Sequence, residues 1–275
     1  MFNYRYIHEL QANEEYIRNL VWFKKNKNYK WIYGHNFGDY LSTIIVSDIA
    51  RNRGIQCRES DHKKRLLAVG SIIHFARDND IIWGSGINGK IKESKYSFKQ
   101  LDVRLVRGPL TRDFLVRKFG IEVPDRYGDP ALLLPSLYPG LKYMPKKNKV
   151  IAIPNLNEYR ACKKLKHKHV QLISPLLHWS VVVQHILSSE LVLASSLHGL
   201  ILAEAFGVPV RLFKPFKSET LFKYHDYIAG TGRSIPNITE TFLDGMNSDN
   251  GMMLEAPRIN STEMYNTFPN DFFGY

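Results

Sequence analysis

One pattern recurs along the sequence and constrains the fold more than any other feature. A short apolar run leads into a turn rich in glycine, and an apolar segment with helical spacing follows. Strands and helices that alternate in this way build a parallel sheet with helices on its faces. The sequence therefore predicts an α/β fold. The predicted strands are residues 31–33, 66–69, 80–83, 103–106, 150–153, 170–173, 190–194 and 210–213, and the predicted helices include 8–27, 41–49, 109–119, 179–188 and 200–206.

A segment of linker-like composition interrupts this pattern once. Residues 135–149 contain three prolines and four lysines, and the α/β pattern restarts after them. We therefore predict an N-terminal domain over 1–140, a C-terminal domain over 141–234, and an acidic tail over 235–275 that packs back on the body. Two such halves suggest a cleft between two open sheets. Ligands of open sheets bind at the carboxyl ends of the strands, where the glycine turns fall.

The net charge of +12 on 275 residues leaves three classes of partner open. These are nucleic acid, an anionic membrane surface and phosphorylated small molecules. The predicted tail holds six acids and one base, so it carries −5 and residues 1–234 carry +17. The lysine clusters of the body have little aromatic interleaving and match no nucleic-acid reader motif. A basic nucleic-acid-binding protein is therefore kept only as a remote alternative.

Cysteine usage and the apolar runs bear on the compartment. Cys57 and Cys162 lie far apart and outside any zinc-ligand spacing, which predicts neither a disulfide framework nor a structural metal site. The N-terminal residues lack a signal-peptide pattern, and no apolar run is long enough to span a bilayer. We expect a soluble, cytoplasmic chain.

The motif most suggestive of chemistry is Ser195-Ser196-Leu197-His198-Gly199, which lies between a predicted strand and an apolar helix. A helix N-terminus presents free N–H groups and partial positive charge, so it binds carboxylate and phosphate. A histidine at that place has a pKa near neutrality and is a natural proton donor or acceptor. The alternative interpretation makes the two serines N-caps and His198 a packing residue. Both interpretations stay open from the motif alone.

Other turns offer a possible anion site and weaker signals. Arg107 and Arg112 flank a predicted helix start, where the helix dipole disfavours cations, so bound anion is one explanation and solvent-facing arginines are the other. The turns with Asn36, Gly38 and Asp39, and with Gly84, Ser85 and Gly86, are weak signals, because glycine turns after strands are routine in α/β folds. The turn 128–130 is interpreted as structural. The sequence also lacks a G-x-S-x-G elbow and a histidine metal motif.

Taken together, these turns resemble the polysaccharide pyruvyl transferase (ketal pyruvyltransferase) family, especially its bacterial exopolysaccharide and capsule members. The resemblance covers roughly residues 30–230. Any single motif is weak, but five in the same order are fairly specific. The matching pieces are residues 36–39, 83–87, 106–112, 128–135 and 195–201, and 223–227 is a further piece.

The resemblance implies two Rossmann-like domains in a GT-B-like arrangement with a cleft between them. It also implies transfer of the enolpyruvyl group of phosphoenolpyruvate to two hydroxyls of a sugar, with release of phosphate and without a further cofactor. His198 matches the functional histidine of the family and is expected to be the catalytic acid. Asp39 is expected, from its position, to be the catalytic base. The residues expected to hold the donor are Arg107, Arg112, Ser195, Ser196 and Gly199, and those expected to line the cleft are Asn36, Gly38, Gly84, Ser85 and Gly86.

The sequence departs from the family pattern at one position. Some members carry an arginine two residues before the histidine, where this chain has Ser196. Contacts to the donor phosphate are then expected from Arg107, Arg112 or the basic linker side. The alternative enzyme is a GT-B glycosyltransferase that uses a nucleotide sugar. The partners expected besides phosphoenolpyruvate are a sugar acceptor, for which a lipid-diphosphate-linked oligosaccharide is one candidate, and an anionic membrane at the inner face, with no nucleic acid.

Overall fold

The computed structural model describes residues 20–21, 36–55, 64–142, 145, 148–165, 168–214, 219–234, 238–246, 257–258 and 260–273. The strand predicted at 31–33 lies outside these residues, as does most of the helix predicted at 8–27. Leu20–Val21 form a strand, β1, so the helix prediction is wrong at those two residues. The remaining predicted strands and helices lie in the described part of the chain, with shifts of a few residues at their ends.

The first half of the chain forms a four-stranded sheet. Its strands are all parallel and stand in the order β1-β2-β3-β4, with β2 at Leu66–Leu67, β3 at Ile81–Trp83 and β4 at Asp102–Leu105. Two helices accompany it, α1 at Phe37–Asn52 and α2 at Pro109–Phe119. Helix α2 begins and ends as predicted, because Pro109 suits the first turn and Gly120 adopts a left-handed φ of 65° that ends the helix.

The second half forms another four-stranded parallel sheet, in the order β6 at Val170–Leu172, β5 at Asn148–Ile153, β7 at Ser189–Ala194 and β8 at Val210–Leu212. The direction of winding reverses between β5 and its two neighbours, which opens a crevice outside the carboxyl ends of β5 and β7. The α/β class is therefore confirmed, whereas the domain boundaries stay a prediction. The helices that follow α2 are α3 at Leu134–Leu137, α4 at Tyr159–Lys164, α5 at Trp179–Leu187, α6 at Leu197–Ala205, α7 at Phe222–Gly230 and α8 at Ser261–Asn266.

One hydrophobic core joins the two sheets. Side chains alternate between the two faces of each strand, so Leu66 faces this shared core while Leu67 faces a second cluster on the outer face of the first sheet. Likewise Ile151 faces the shared core and Ala152 faces outward. Helix α1 lies between the halves and contacts both α5 and α6. None of the helices in the described part of the chain is long and apolar enough to span a bilayer.

The end of the chain packs against the first half. Met264, Phe268 and Phe272 are buried in the shared core. The Phe268 ring lies edge-on to Trp83 at a centroid distance of 5.1 Å, and the Trp83 indole N–H donates to the Thr267 hydroxyl at 3.1 Å. These contacts fix the described residues 260–273 to the body of the protein.

A fully buried ion pair connects the two halves. Arg107 follows β4 and Asp226 lies on α7, and neither side chain is exposed to solvent. The Arg107 guanidinium donates to Asp226 Oδ2 at 3.0 Å, and the Thr111 backbone N–H and hydroxyl donate to the same carboxylate at 2.8 and 2.7 Å. A Cβ at Gly108 would overlap the backbone of Asp226, so glycine is required where α7 crosses this turn. Every oxygen of the carboxylate is thus satisfied without water.

We predict that Asp226→Asn destabilises the protein strongly. The substitution keeps the size of the side chain but leaves the buried Arg107 charge uncompensated, so the free energy of unfolding should fall by about 3–5 kcal/mol. The melting temperature measures the change. Asp113→Asn is the matched control, because Asp113 pairs with Arg117 on the exposed face of α2 and such pairs contribute less than about 1 kcal/mol. Equal melting temperatures for the two variants would contradict a joining role for the buried pair.

Candidate functional site

A cavity of about 270 Å³ lies where the carboxyl ends of the two sheets face each other. From the first half it is lined by the start of α1 and by the loops after β2 and β3. The second half contributes the loops after β5 and β7 and the start of α7. The lining therefore comes from both sheets, at the edge where open parallel sheets bind ligands. Its polar and charged lining residues are Asn36, Asp39, Ser71, His74, Asn88, Lys90, Asn155, Asn157, Ser196, His198, Glu219 and Lys223.

His198 lies in the first turn of α6 and is almost completely buried. The Ser196 hydroxyl caps this helix by accepting from the Gly199 N–H at 3.2 Å, as the alternative interpretation of the serines predicts. The His198 ring packs over Gly38 in α1, and a Cβ at Gly38 would overlap its Nδ1. Glycine at position 38 therefore lets the histidine approach the first turn of α1.

Asp39 lies one residue further along α1 and lines the same cavity. Burial raises the pKa of its carboxyl group from 3.8 to about 6. The nearby charges of His198 and Lys223 and a hydrogen bond from Asn36 lower the pKa again, but do not offset the burial. A carboxyl group with a pKa near the working pH can both accept and release a proton, which suits a general base.

Two lysines and a glutamate form a chain of charges along the cavity wall. Glu219 pairs with Lys90 at 2.5 Å and with Lys223 at 3.0 Å. Burial lowers the pKa of Lys223, and Glu219 offsets part of this effect. Burial alone would raise the pKa of Glu219, but the two ammonium groups outweigh it and leave the pKa below its usual value. The group carries two positive charges against one negative charge, so it is the positively charged part of the cavity wall.

The comparisons with known proteins identify the family of the chain. Residues 3–215 match the family described as polysaccharide pyruvyl transferase, which is more than half of the chain. The chain belongs to the polysaccharide pyruvyl transferase family. The resemblance inferred from the ordered motifs is thereby confirmed.

One curated member gives a more specific similarity. The chain is 30% identical over 219 residues to the succinoglycan biosynthesis protein ExoV of Rhizobium meliloti (strain 1021). The alignment covers 75% of this chain and 65% of that relative, so the chain spans slightly less than two thirds of the relative's length. No solved structure matches the chain.

The two arginines that the family resemblance assigned to the donor lie away from the cavity. Arg107 is fully buried, and its guanidinium is bonded to Asp226, to the Ile87 carbonyl at 2.8 Å and to the Ser71 hydroxyl at 2.6 Å. Among the described residues, Ser71 is the cavity-lining residue to which Arg107 donates. Arg112 donates to the Val123 carbonyl at 3.1 Å. The sequence could not exclude them, because it does not show that Asp226 would take the Arg107 charge.

Some of the other expected site residues line the cavity, and the rest are buried outside it. Asn36 and Ser196 line the cavity together with Asp39 and His198. Ser195 is buried and donates to Glu158 at 2.7 Å, and Gly199 packs against Ile153. The expected cleft turn at Gly84, Ser85 and Gly86 is buried inside the first half, against Pro130, the Ala68 carbonyl and Arg107 respectively. These three residues shape the turn after β3 and do not line the cavity.

No pattern in the sequence assigned Lys90, Glu219 or Asp129 to this cavity. The two ion-pairing residues come from distant parts of the chain, so no local pattern joins them. Lys223 was quoted only as part of a family motif. Asp129 was interpreted as part of a structural turn, and its Oδ1 does cap that turn by accepting from the Ala131 N–H at 3.0 Å. Its Oδ2, however, lies 3.6 Å from His198 Nε2.

No group of three or more His, Cys, Asp or Glu side chains that could hold a metal ion occurs among the described residues. A larger cavity of about 760 Å³ lies beside the edge strand β4 and is lined also by residues of α8. It contains none of the expected site residues. The smaller cavity is the better candidate because it combines charged, buried and titratable groups from both halves.

We predict that Asp39→Asn changes the pH dependence of stability in a defined direction. Because the pKa of Asp39 is raised on folding, the native state binds more protons than the unfolded state between about pH 4 and pH 6. The Asp39 carboxyl therefore makes the wild type less stable as the pH rises through this window, by up to about 3 kcal/mol. The asparagine variant lacks this loss.

The test compares the melting temperatures of wild type and Asp39→Asn across this pH range. The advantage of the variant over wild type should grow from about pH 4 to about pH 6 and then level off. Asp113→Asn on exposed α2 serves as the control, and its difference from wild type should not follow this curve. A difference for Asp39→Asn that stays flat or shrinks with rising pH would show that the carboxyl is not held in a desolvating environment.

Proposed function

We propose that this protein is a ketal pyruvyltransferase that uses phosphoenolpyruvate as the donor. It transfers the enolpyruvyl group to two hydroxyls of a sugar in a bacterial surface polysaccharide or its precursor, and it releases phosphate. The observation that carries the proposal is the meeting of His198 and Asp39 in one cavity that also presents Lys90 and Lys223. Membership of the polysaccharide pyruvyl transferase family supports the same reaction.

The reaction needs an acid and a base at the same site. A proton added to the methylene carbon of the donor gives a methyl group and an oxocarbenium-like centre at C2. One sugar hydroxyl attacks C2, the C–O bond to phosphate breaks, and the second hydroxyl closes the cyclic ketal. Of the two protons lost by the hydroxyls, one balances the proton added to carbon and the other leaves on phosphate. General acid and base catalysis typically contributes about 10²–10⁴-fold to each such step.

We assign His198 as the acid and Asp39 as the base. Above a pH of about 6 the Asp39 carboxyl is mostly ionised, so it can accept a hydroxyl proton near neutrality. His198 lies beside it at the start of α6 and lines the same cavity. A pair of groups in different environments divides the acid and base roles between its members.

We assign the donor anion to the lysine side of the cavity rather than to the arginines. Phosphoenolpyruvate carries a carboxylate and a phosphate, and both need cations or N–H donors in a site with little water. Lys90 and Lys223 line the cavity, whereas the Arg107 charge is neutralised by Asp226. Glu219 fixes both ammonium groups in place, so little side-chain entropy is lost when the donor binds.

The acceptor and the location are further parts of the proposal. The similar Rhizobium protein is named for succinoglycan biosynthesis, which supports a sugar of an exopolysaccharide or capsule as the acceptor. A lipid-diphosphate-linked acceptor at the inner face of an anionic membrane would suit the charge of +17 on residues 1–234. The two parallel sheets that share one cavity support the GT-B-like arrangement of two Rossmann-like domains.

We predict that His198→Gln lowers kcat for phosphate release by about 10²–10⁴-fold, because the variant cannot deliver the proton to carbon. The assay follows phosphate released from phosphoenolpyruvate with and without a panel of sugar acceptors. His185→Gln on α5 is the control, since His185 lies outside the cavity and should leave kcat unchanged. An active His198→Gln enzyme would contradict the mechanism. Thermal stabilisation by nucleotide sugars but not by phosphoenolpyruvate would favour the glycosyltransferase alternative instead.

We predict that Lys223→Gln and Lys90→Gln weaken donor binding. A hydrogen bond to a charged group contributes about 1.5–3 kcal/mol, so kcat/KM for phosphoenolpyruvate should fall by about 10-fold to 100-fold for each variant. Lys118→Gln is the control, because Lys118 forms an exposed ion pair with Glu93 outside the cavity. A KM for phosphoenolpyruvate equal to that of the control in both variants would place the donor elsewhere.

A further inference from the structure

Two buried polar atoms face each other behind the cavity. Asp129 is completely buried and His198 is almost so. Asp129 Oδ2 and His198 Nε2 have no hydrogen-bond partner among the described residues, and they lie 3.6 Å from each other. A buried polar atom without a partner is expensive, typically by about 1–3 kcal/mol. A few tenths of an ångström of movement would let each atom satisfy the other.

The position of Asp129 is fixed by the turn that follows it. Its Oδ1 caps the short 3₁₀ turn at Pro130–Leu133, which packs against α6. One carboxylate oxygen is therefore committed to the backbone, and the other is aimed at the histidine. A carboxylate oxygen can only accept a hydrogen bond, so the partner nitrogen, Nε2, must carry the proton.

We propose that Asp129 is a positioning residue that holds His198 with a proton on Nε2. The inference rests on the proposed function, in which His198 exchanges a proton with the donor. With Nε2 bound to Asp129, the atom left for that exchange is Nδ1. Nδ1 lies over Gly38 at the first turn of α1, which contributes Asn36 and Asp39 to the cavity wall. The carboxylate also stabilises the ring when it is protonated on both nitrogens.

The cap makes Asp129→Asn a sharp test of this role. The amide oxygen of the variant should keep the hydrogen bond from the Ala131 N–H, because only the oxygen can accept it. The amide NH₂ group must then face His198 Nε2, so Nε2 becomes the acceptor and the proton moves to Nδ1. The substitution thus reverses the tautomer while it preserves the size of the side chain and the cap.

The experiment combines NMR of the free protein with kinetics. In protein labelled with ¹⁵N-histidine, the His198 ring signals are assigned by their loss in His198→Gln. We expect the neutral wild-type ring to carry its proton on Nε2 and the Asp129→Asn ring to carry it on Nδ1. We also expect kcat for phosphate release to fall at least about 100-fold, with KM for phosphoenolpyruvate changed by less than about 3-fold. Asp80→Asn is the control, because Asp80 is another buried aspartate, paired with Arg65 outside the cavity.

Asp129→Ser is the second variant if Asp129→Asn does not fold, because serine keeps an N-cap acceptor and removes the carboxylate. Its His198 ring should lose the preference for a proton on Nε2. A neutral wild-type ring with its proton on Nδ1 would overturn the inference, and so would a wild-type kcat in Asp129→Asn. A loss of kcat that only follows the loss of folded protein would also overturn it. The NMR measurement needs no substrate, so it stands even if phosphoenolpyruvate is not the donor.

Discussion

The buried pair of Arg107 and Asp226 is the constraint on which the rest of the site depends. An unpaired charge at this depth would cost several kcal/mol, so the fold must bring the turn after β4 and helix α7 into contact. Once they meet, α7 is fixed against the first half, and its first turn presents Lys223 to the cavity. Arg107 also donates to Ser71 in the cavity wall. The pair therefore aligns residues from both halves without itself touching the cavity.

The cavity near the Arg107–Asp226 pair holds ionisable groups in a buried environment, which disfavours their charged forms. Asp39 responds with a raised pKa, and Lys223 with a lowered one, because burial penalises the ionised form of each. Glu219 limits the effect on Lys223 by pairing with it. These groups stay close enough to one another to influence a shared ligand. Perturbed titratable groups that converge in one cavity are the arrangement expected of a site that moves protons.

Several elements followed from local sequence alone. Helix α2 was predicted to its last residue, because Pro109 and Gly120 mark its ends by backbone geometry. The strand–helix junction at His198 was also predicted, since its apolar strand and capping serine are adjacent in sequence. Strand β1 was missed because two residues at the edge of a sheet leave no periodic pattern, and pairing with β2 decides their conformation. Asp39 and His198 were joined only by the family resemblance.

The sequence by itself determined the α/β class, most strand positions, the capped helix start that holds His198, and the family. Those features depend on residues close together in the chain, where turn chemistry and apolar periodicity act directly. The tertiary structure decided which charged side chains line the cavity and which are paired away from it. Arg107 was expected to bind the donor, but a carboxylate from α7 occupies it, while Lys90 and Lys223 reach the cavity. The approach of Asp129 to His198 likewise depends on tertiary packing. Such pairings join residues far apart in the chain, and only packing can bring them together.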